Sequence, residues 1–311
     1  MPLLAEYALT PDVFDATSYS SDEVGSIRLQ DLKEVLLAEG IVRDLRDGGW
    51  SQLFTNGGRP WHNRGKELLK KLAQQKRLRR FQPVGGSIPA SDADWCLEAL
   101  ASNGVFPLFG IVATPAVAAG FKAEALVASI DRLPSVPWWA ARSQSVRMPR
   151  TLAEYTGHLQ PVLDCANSIM FIDAHLDPTQ GRYRDFLSLL LATAGRVTRP
   201  LIEVHRVCYF DTRDKRDQRD DAGWRAMFAN WVGPLQAAGI AVEVFVWDDF
   251  HDRHVISDLI GIQMGNGFDT TGDPASITTW TRLGRAERDD IQREFDPASG
   301  RHTLRHRFRI P

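Results

Sequence analysis

Residues 248–268 read DDFHDRHVISDLIGIQMGNGF. A histidine, an arginine and several acids crowd in front of an apolar run that ends in Gly-Asn-Gly. In an extended chain, residues two apart project to the same side. A strand over 251–257 therefore points His251 and Arg253 together and turns Asp252 and His254 to the other face. Asp258 to Gly261 is the expected tight turn, and 262–265 the returning strand. Such a pair would hold an imidazole and a permanent cation side by side on rigid backbone, where a site is best preorganised. Three readings compete: a surface hairpin with incidental charges, a metal site, and a phosphate site built around a nucleophilic histidine.

The metal reading is the less favoured. Asp248, Asp249 and Asp258 add oxygen donors, but His251 and His254, three residues apart, face opposite ways on a strand. No metal and no other cofactor is expected.

The surroundings place this stretch in a βα rhythm. A helix over 151–166 precedes the apolar SIMFIDAHLD, and a helix around 182–194 leads to PLIEVHRVCYF. A helix over 222–238 then precedes GIAVEVFVW, which runs into the quoted residues. Alternation of this length implies a mixed, largely parallel sheet flanked by helices. Asp173 and His175 fall at the end of one of these strands, and His205 and Asp211 at the end of another. Ligand sites in open α/β sheets lie beyond the carboxyl ends of strands, so Asp173 and His205 are expected to border one cleft. The charged DTRDKRDQRDD reads as a solvated loop. The tail RHTLRHRFRI alternates Arg301, Thr303, Arg305, Arg307 and Arg309 with apolar and histidine positions, a strand with one basic face.

The first half is less regular. Residues 1–26 read as irregular, and 29–41 as a helix stopped at Gly40. The run from 65 to 81 reads as a basic amphipathic helix. A helix before Asn103-Gly104 leads to a buried strand over 106–113, and 115–129 reads as helical. The proline- and tryptophan-containing LPSVPWWAARSQSVRMP marks a boundary. Two regions follow: 1–150, α/β or helical, and 151–311, α/β.

His251-x-Arg253-x4-Asp258, followed after six intervening residues by Gly265-Asn266, resembles the H-x-K-x4-D motif of the phospholipase D superfamily and its following glycine. The likeness is strict over about twenty residues, and the βα layout of 151–311 extends it loosely. Arg253 stands where that family has lysine, and Phe268 where an asparagine often follows. The resemblance implies a phospholipase D-like fold and a covalent phosphohistidine on His251. It also implies a phosphate held by Arg253, an aspartate, Asp258, that orients the histidine network, and Gly265 and Asn266 beside the substrate. Two motif copies meet in that family. His62-x-Arg64 lacks an aspartate at the right distance, so the second copy, and the leaving-group acid, are expected from a homodimer partner.

Two functions are then expected. One is a metal-independent phosphodiesterase, a nuclease, with His251, Arg253 and Asp258 catalytic and Gly265, Asn266, His205 and Asp173 at the substrate. The alternative is a catalytically silent phospholipase D-like module that binds nucleic acid, a phosphorylated ligand or, through residues 1–150, a protein partner. The formal net charge of -2 excludes whole-protein attraction to polyanions, so nucleic acid must be met by a local patch, for which the basic tail strand is the candidate. Three widely spaced cysteines give neither a disulfide framework nor a zinc pattern, as a reducing cytosol would have it. No leader is read at the N-terminus and no membrane association is expected, so the chain is placed in the cytoplasm. Dinucleotide, P-loop and nucleophile-elbow glycine motifs are absent.

Overall fold

The computed structural model describes residues 3–55, 58–209 and 219–311. They form two compact units, one of residues 4–142, the other of 143–311 with Leu3. Both are α/β.

In the first unit β1 (Ala5–Leu9), α1 (Asp22–Glu39), β2 (Gly40–Asp44), α2 (Gly49–Gln52), α3 (Asn63–Gln74) and β3 (Leu78–Arg80) run in order. They are followed by α4 (Asp92–Val105), β4 (Gly110–Ala113), α5 (Pro115–Ala118), β5 (Val127–Ser129) and α6 (Pro137–Ala140). The five strands are parallel, in the order β3-β2-β1-β4-β5. The order reverses direction after β3. Right-handed crossovers therefore send α1 and α3 to one face and α4 to the other, a doubly wound sheet.

Residues 1–26 are thus not irregular throughout: β1 is the central strand, and all five of its residues are buried. It was hidden by Glu6, a residue that sequence reasoning puts in water. Glu6 is held by Arg43 Nε of β2 at 2.7 Å and by Arg79 Nη1 of β3, the next strand out, at 2.8 Å. Arg43 is itself fully buried, donating to the Ser102 and Phe106 carbonyls and lying over the Phe81 ring. Three other expectations are corrected here. The basic helix stops at Gln74, and Leu78–Arg80 form a strand. Asn103-Gly104 continue α4 to Val105 instead of breaking it. Residues 115–129 form short turns of helix and then β5.

The second unit contains β6 (Ser145–Pro149), α7 (Leu152–Cys165), β7 (Ser168–Asp173), α8 (Phe186–Leu191), β8 (Leu201–Val207), α9 (Asp221–Met227) and α10 (Ala229–Ala238). It continues with β9 (Val242–Trp247), β10 (Arg253–Ser257), β11 (Gly261–Met264), β12 (Ile277–Arg282), α11 (Arg285–Glu294) and β13 (Leu304–Ile310). The eight strands are ordered β13-β9-β8-β7-β10-β11-β12-β6. β7, β8 and β9 are parallel, and the other ladders antiparallel. β6 pairs with β12 from Pro149↔Ile277 to Ser145↔Thr281, so residues 145–149 belong to this sheet.

Register fixes what each face carries. His254, Ile172, His205, Phe245 and Arg307 are successive cross-strand partners and share one face, on which Phe295 just after α11 packs against His205. The alternate positions Asp173, Arg253, Phe171 and Arg206 take the other face. There Phe186 of α8 meets Phe171, and Trp224 of α9 lies under the Arg206 guanidinium. Thr151 and Asp220 cap α7 and α9, each accepting a hydrogen bond from the backbone N–H three residues on. The charged run after β8 lies mostly outside the described residues, Asp211 included.

Candidate functional site

The antiparallel pairing of β10 with β7 brings Arg253 opposite Asp173. Asp173 is fully buried. Its Oδ1 accepts the His175 N–H at 3.0 Å, and its Oδ2 the Phe268 N–H at 3.0 Å. Arg253 Nε stands 3.8 Å from Oδ1, at the outer limit of an ion pair, with about a third of its side chain exposed. Burial raises the Asp173 carboxyl pKa, and the two N–H groups and the distant guanidinium oppose this without cancelling it. Arg253 is therefore aimed by a buried carboxylate that does not use up its hydrogen-bonding fork.

The approach of these groups depends on a residue that the sequence reading did not single out. Gly267 has φ +70°, and a Cβ there would lie 2.8 Å from Asp173 Cγ and 3.0 Å from Arg253 Cδ. Only glycine fits this turn. The next residue, Phe268, is buried against Phe171 and Phe186, with ring centroids at 5.4 and 4.9 Å. Its place in the motif is thus taken by a core anchor. Gly265 donates its N–H to Thr279 O at 3.0 Å, and a Cβ there would sit 3.1 Å from that oxygen, so this glycine serves the approach of β12. Asn266 is exposed between the two glycines.

His251 is exposed and precedes β10, which begins at Arg253. His254 is buried on the opposite face, as strand alternation predicts. Asp258 occupies the far end of β10. Its two carboxylate oxygens accept the Asn167 backbone N–H at 2.9 Å and side-chain N–H at 2.8 Å. The expectation that Asp258 orients an imidazole of the site is corrected: a whole strand separates it from His251, and it fastens the start of β7.

His205 also leaves the site. Its parity in β8 turns it away from Asp173, so the two do not border one cleft. It is fully buried, stacked on Phe245 at 4.7 Å between centroids. Nδ1 accepts the Trp247 indole N–H at 3.0 Å, which leaves Nε2 to donate to Glu203 at 3.3 Å. Burial lowers its pKa, and Glu203 offsets this only in part. This is a neutral core histidine.

His175 does join the cluster. It follows β7 by two residues, as His251 precedes β10 by two, and the strands are antiparallel, so both histidines leave the same end of the pair. Half-buried, His175 lies 6.3 Å from the Tyr209 ring, and its Nδ1 has no hydrogen-bond partner. Burial, then Arg253, Arg182, Arg206 and His251, hold its imidazole below the ordinary range. Arg206 is fully buried and donates to the Leu176, Val207 and Tyr209 carbonyls, whereas Arg182 is exposed. The signal for His175 was available in sequence: it is two residues from Asp173 at a strand end.

The basic tail does not extend this patch. Arg307 pairs with Glu243 at 2.9 Å and Arg305 with Asp248 at 2.8 Å. Arg307 also stands over Phe245, on the sheet face opposite Arg253. This strand therefore does not lead a phosphate chain to Arg253. Among the described residues, no three His, Cys, Asp or Glu side chains converge as a metal site, and no helix is long and apolar enough to cross a membrane.

No family model and no curated protein matches this sequence. Among solved structures, the chain is similar to polyphosphate kinase from Porphyromonas gingivalis, at 12% identity and a TM-score of 0.33, over 50% of this chain and 26% of that one. It is also similar to TrmBL2, an archaeal chromatin protein described with a novel mode of DNA binding, at 12% identity and a TM-score of 0.30, over 78% of this chain and 82% of that one. Likenesses this remote carry no argument about fold or activity.

Proposed function

We propose that residues 143–311 form a phosphodiester-directed unit of phospholipase D type, a metal-independent phosphodiesterase with His251 as nucleophile. The observation that carries this reading is the pairing of Arg253 with buried Asp173 at the carboxyl end of β7, two residues from exposed His251. A guanidinium backed by a buried carboxylate, with free N–H donors, suits the nonbridging oxygens of a phosphate. In this reading the exposed imidazole of His251, two residues before Arg253 in sequence, attacks phosphorus. A P–N bond forms as the P–O bond to the leaving group breaks, and water then cleaves the phosphohistidine. Arg253 stabilises the charge that gathers on the equatorial oxygens. Nucleic acid is the polymer to try first, met at the site by Arg253 and Arg182 and not by β13.

The test is cleavage of single-stranded oligonucleotide, plasmid and bis(p-nitrophenyl) phosphate in EDTA. Wild-type protein is expected to cleave at least one of them, and His251→Ala none. Cleavage that disappears in EDTA and returns with a divalent metal defeats the proposal, as does equal cleavage by His251→Ala.

A second reading is a silent module that binds a phosphorylated ligand, with residues 1–150 docking a protein partner. It is favoured by arginine in the lysine position and by the commitment of Asp258 to Asn167. In that case Arg253→Ala weakens ligand binding by about 1–3 kcal/mol, the scale of a charge-assisted hydrogen bond, while no substrate is turned over.

A further inference from the structure

A nucleophilic histidine accounts for only half of phosphodiester cleavage, because the departing alkoxide also needs a proton. We infer that His175 supplies it from the same chain, so that one subunit carries the complete pair of histidines. This rests on the phosphodiesterase reading above and deepens it.

Three observations support the assignment. The Arg253↔Asp173 pair is the last rung of the β7–β10 ladder, and the two histidines extend from it, one on each strand. The turn carrying His175 is fixed, because its N–H is bonded to Asp173 Oδ1 and the Leu176 N–H to the Asp173 carbonyl. The carboxylate that aims Arg253 thus also sets the second histidine. Finally, His175 Nδ1 is buried without a partner, so the ring is not committed to a structural hydrogen bond there as His205 is on both nitrogens. The groups facing His175 are Arg253, Arg182, Arg206 and His251, with Asp173 accepting its backbone N–H. Burial, then these neighbours, hold its imidazole below the ordinary range. A phosphate diester brought in among the arginines adds the negative charge that favours its proton.

In the first step His251 forms a bond to phosphorus, the P–O bond breaks, and the proton of His175 passes to the leaving oxygen. In the second, water adds to phosphorus, the P–N bond breaks, and the proton released by water returns to His175. No metal, oxidant or further reactant is consumed.

The dependence on leaving group separates this role from a structural one. A nitrophenolate departs without protonation, whereas a nucleoside alkoxide does not. In single-turnover cleavage, which reads the first step alone, the His175→Ala and His175→Gln variants should lose about a hundredfold or more on a dinucleoside phosphodiester, the scale of general acid catalysis, and less than about tenfold in the burst of nitrophenolate from bis(p-nitrophenyl) phosphate. His251→Ala should lose both activities. An equimolar mixture of His175→Ala and His251→Ala should do no better than the sum of its parts. Equal losses on the two substrates, unchanged rates in both His175 variants, or recovery on mixing would each overturn the in-chain pair while leaving the phosphodiesterase standing. A wild-type protein that cleaves neither substrate removes the phosphodiesterase, and this inference with it.

Discussion

Replacing Gly267 with alanine puts a methyl group against the two side chains that define the site. Part of the cost is conformational: φ +70° belongs to the left-handed region, where a side chain costs about 1–2 kcal/mol. The rest is steric. The new Cβ would lie 2.8 Å from Asp173 Cγ and 3.0 Å from Arg253 Cδ. Asp173 cannot easily retreat, being fully buried and held by the N–H groups of His175 and Phe268. Overpacking of this kind adds about 1–3 kcal/mol, for a total of about 2–5 kcal/mol. Gly300 is an internal control, because it has nearly the same angle, φ +67°, with nothing within 4 Å of its added Cβ. Gly300→Ala should therefore show the conformational share alone, about 1–2 kcal/mol. Urea denaturation of both variants, followed by a probe of the 143–311 unit, measures the difference. Gly267→Ala should be the less stable by about 1–3 kcal/mol and should lose phosphate binding as Arg253 is displaced. Equal midpoints for the two variants would refute the idea that the turn clamps Asp173 and Arg253 together.

Asp258→Ala should destabilise the protein by about 1–3 kcal/mol, because two Asn167 donors lose their acceptor, with the specific activity of the folded fraction unchanged. A loss of activity exceeding the loss of folded protein would return Asp258 to the site. Glu6→Ala should be more damaging, about 3–5 kcal/mol by urea titration, since it leaves fully buried Arg43 without its carboxylate; a change below about 1 kcal/mol would mean that the cation finds another partner. His205 predicts a pH dependence. Its folded pKa lies below the unfolded value of about 6.5, so the unfolded state binds the proton more readily, and stability is complete above that pH and falls as the pH drops below it. His205→Phe should flatten the stability profile between about pH 7 and 5 while lowering stability at pH 7 by about 1–3 kcal/mol for the orphaned Trp247 N–H. His175, lowered as well, adds a slope of the same sign, so an unchanged profile in His205→Phe would assign the whole effect elsewhere.

Local pattern was enough for much of the second unit. Apolar runs bounded by helices marked β7, β8 and β9, and the period of two placed His254 opposite Arg253, because strand alternation is a property of the backbone itself. The central strand β1 escaped notice because Glu6 looks like a surface residue until Arg43 and Arg79, 37 and 73 positions away, are brought to it. The same limit governs the site. Spacing along the chain put His251, Arg253 and Asp258 into one motif, but a strand is a rod, and residues at its two ends do not meet. Nor could spacing say that His205 and Asp173 lie on opposite faces, since that depends on the register between β7 and β8. The sequence offered His251 and Arg253 as candidates; which groups lie beside Arg253 — Asp173, Gly267 and His175 — was decided by the antiparallel pairing of β10 with β7, a contact between segments eighty residues apart whose register is selected by burying one face of each strand.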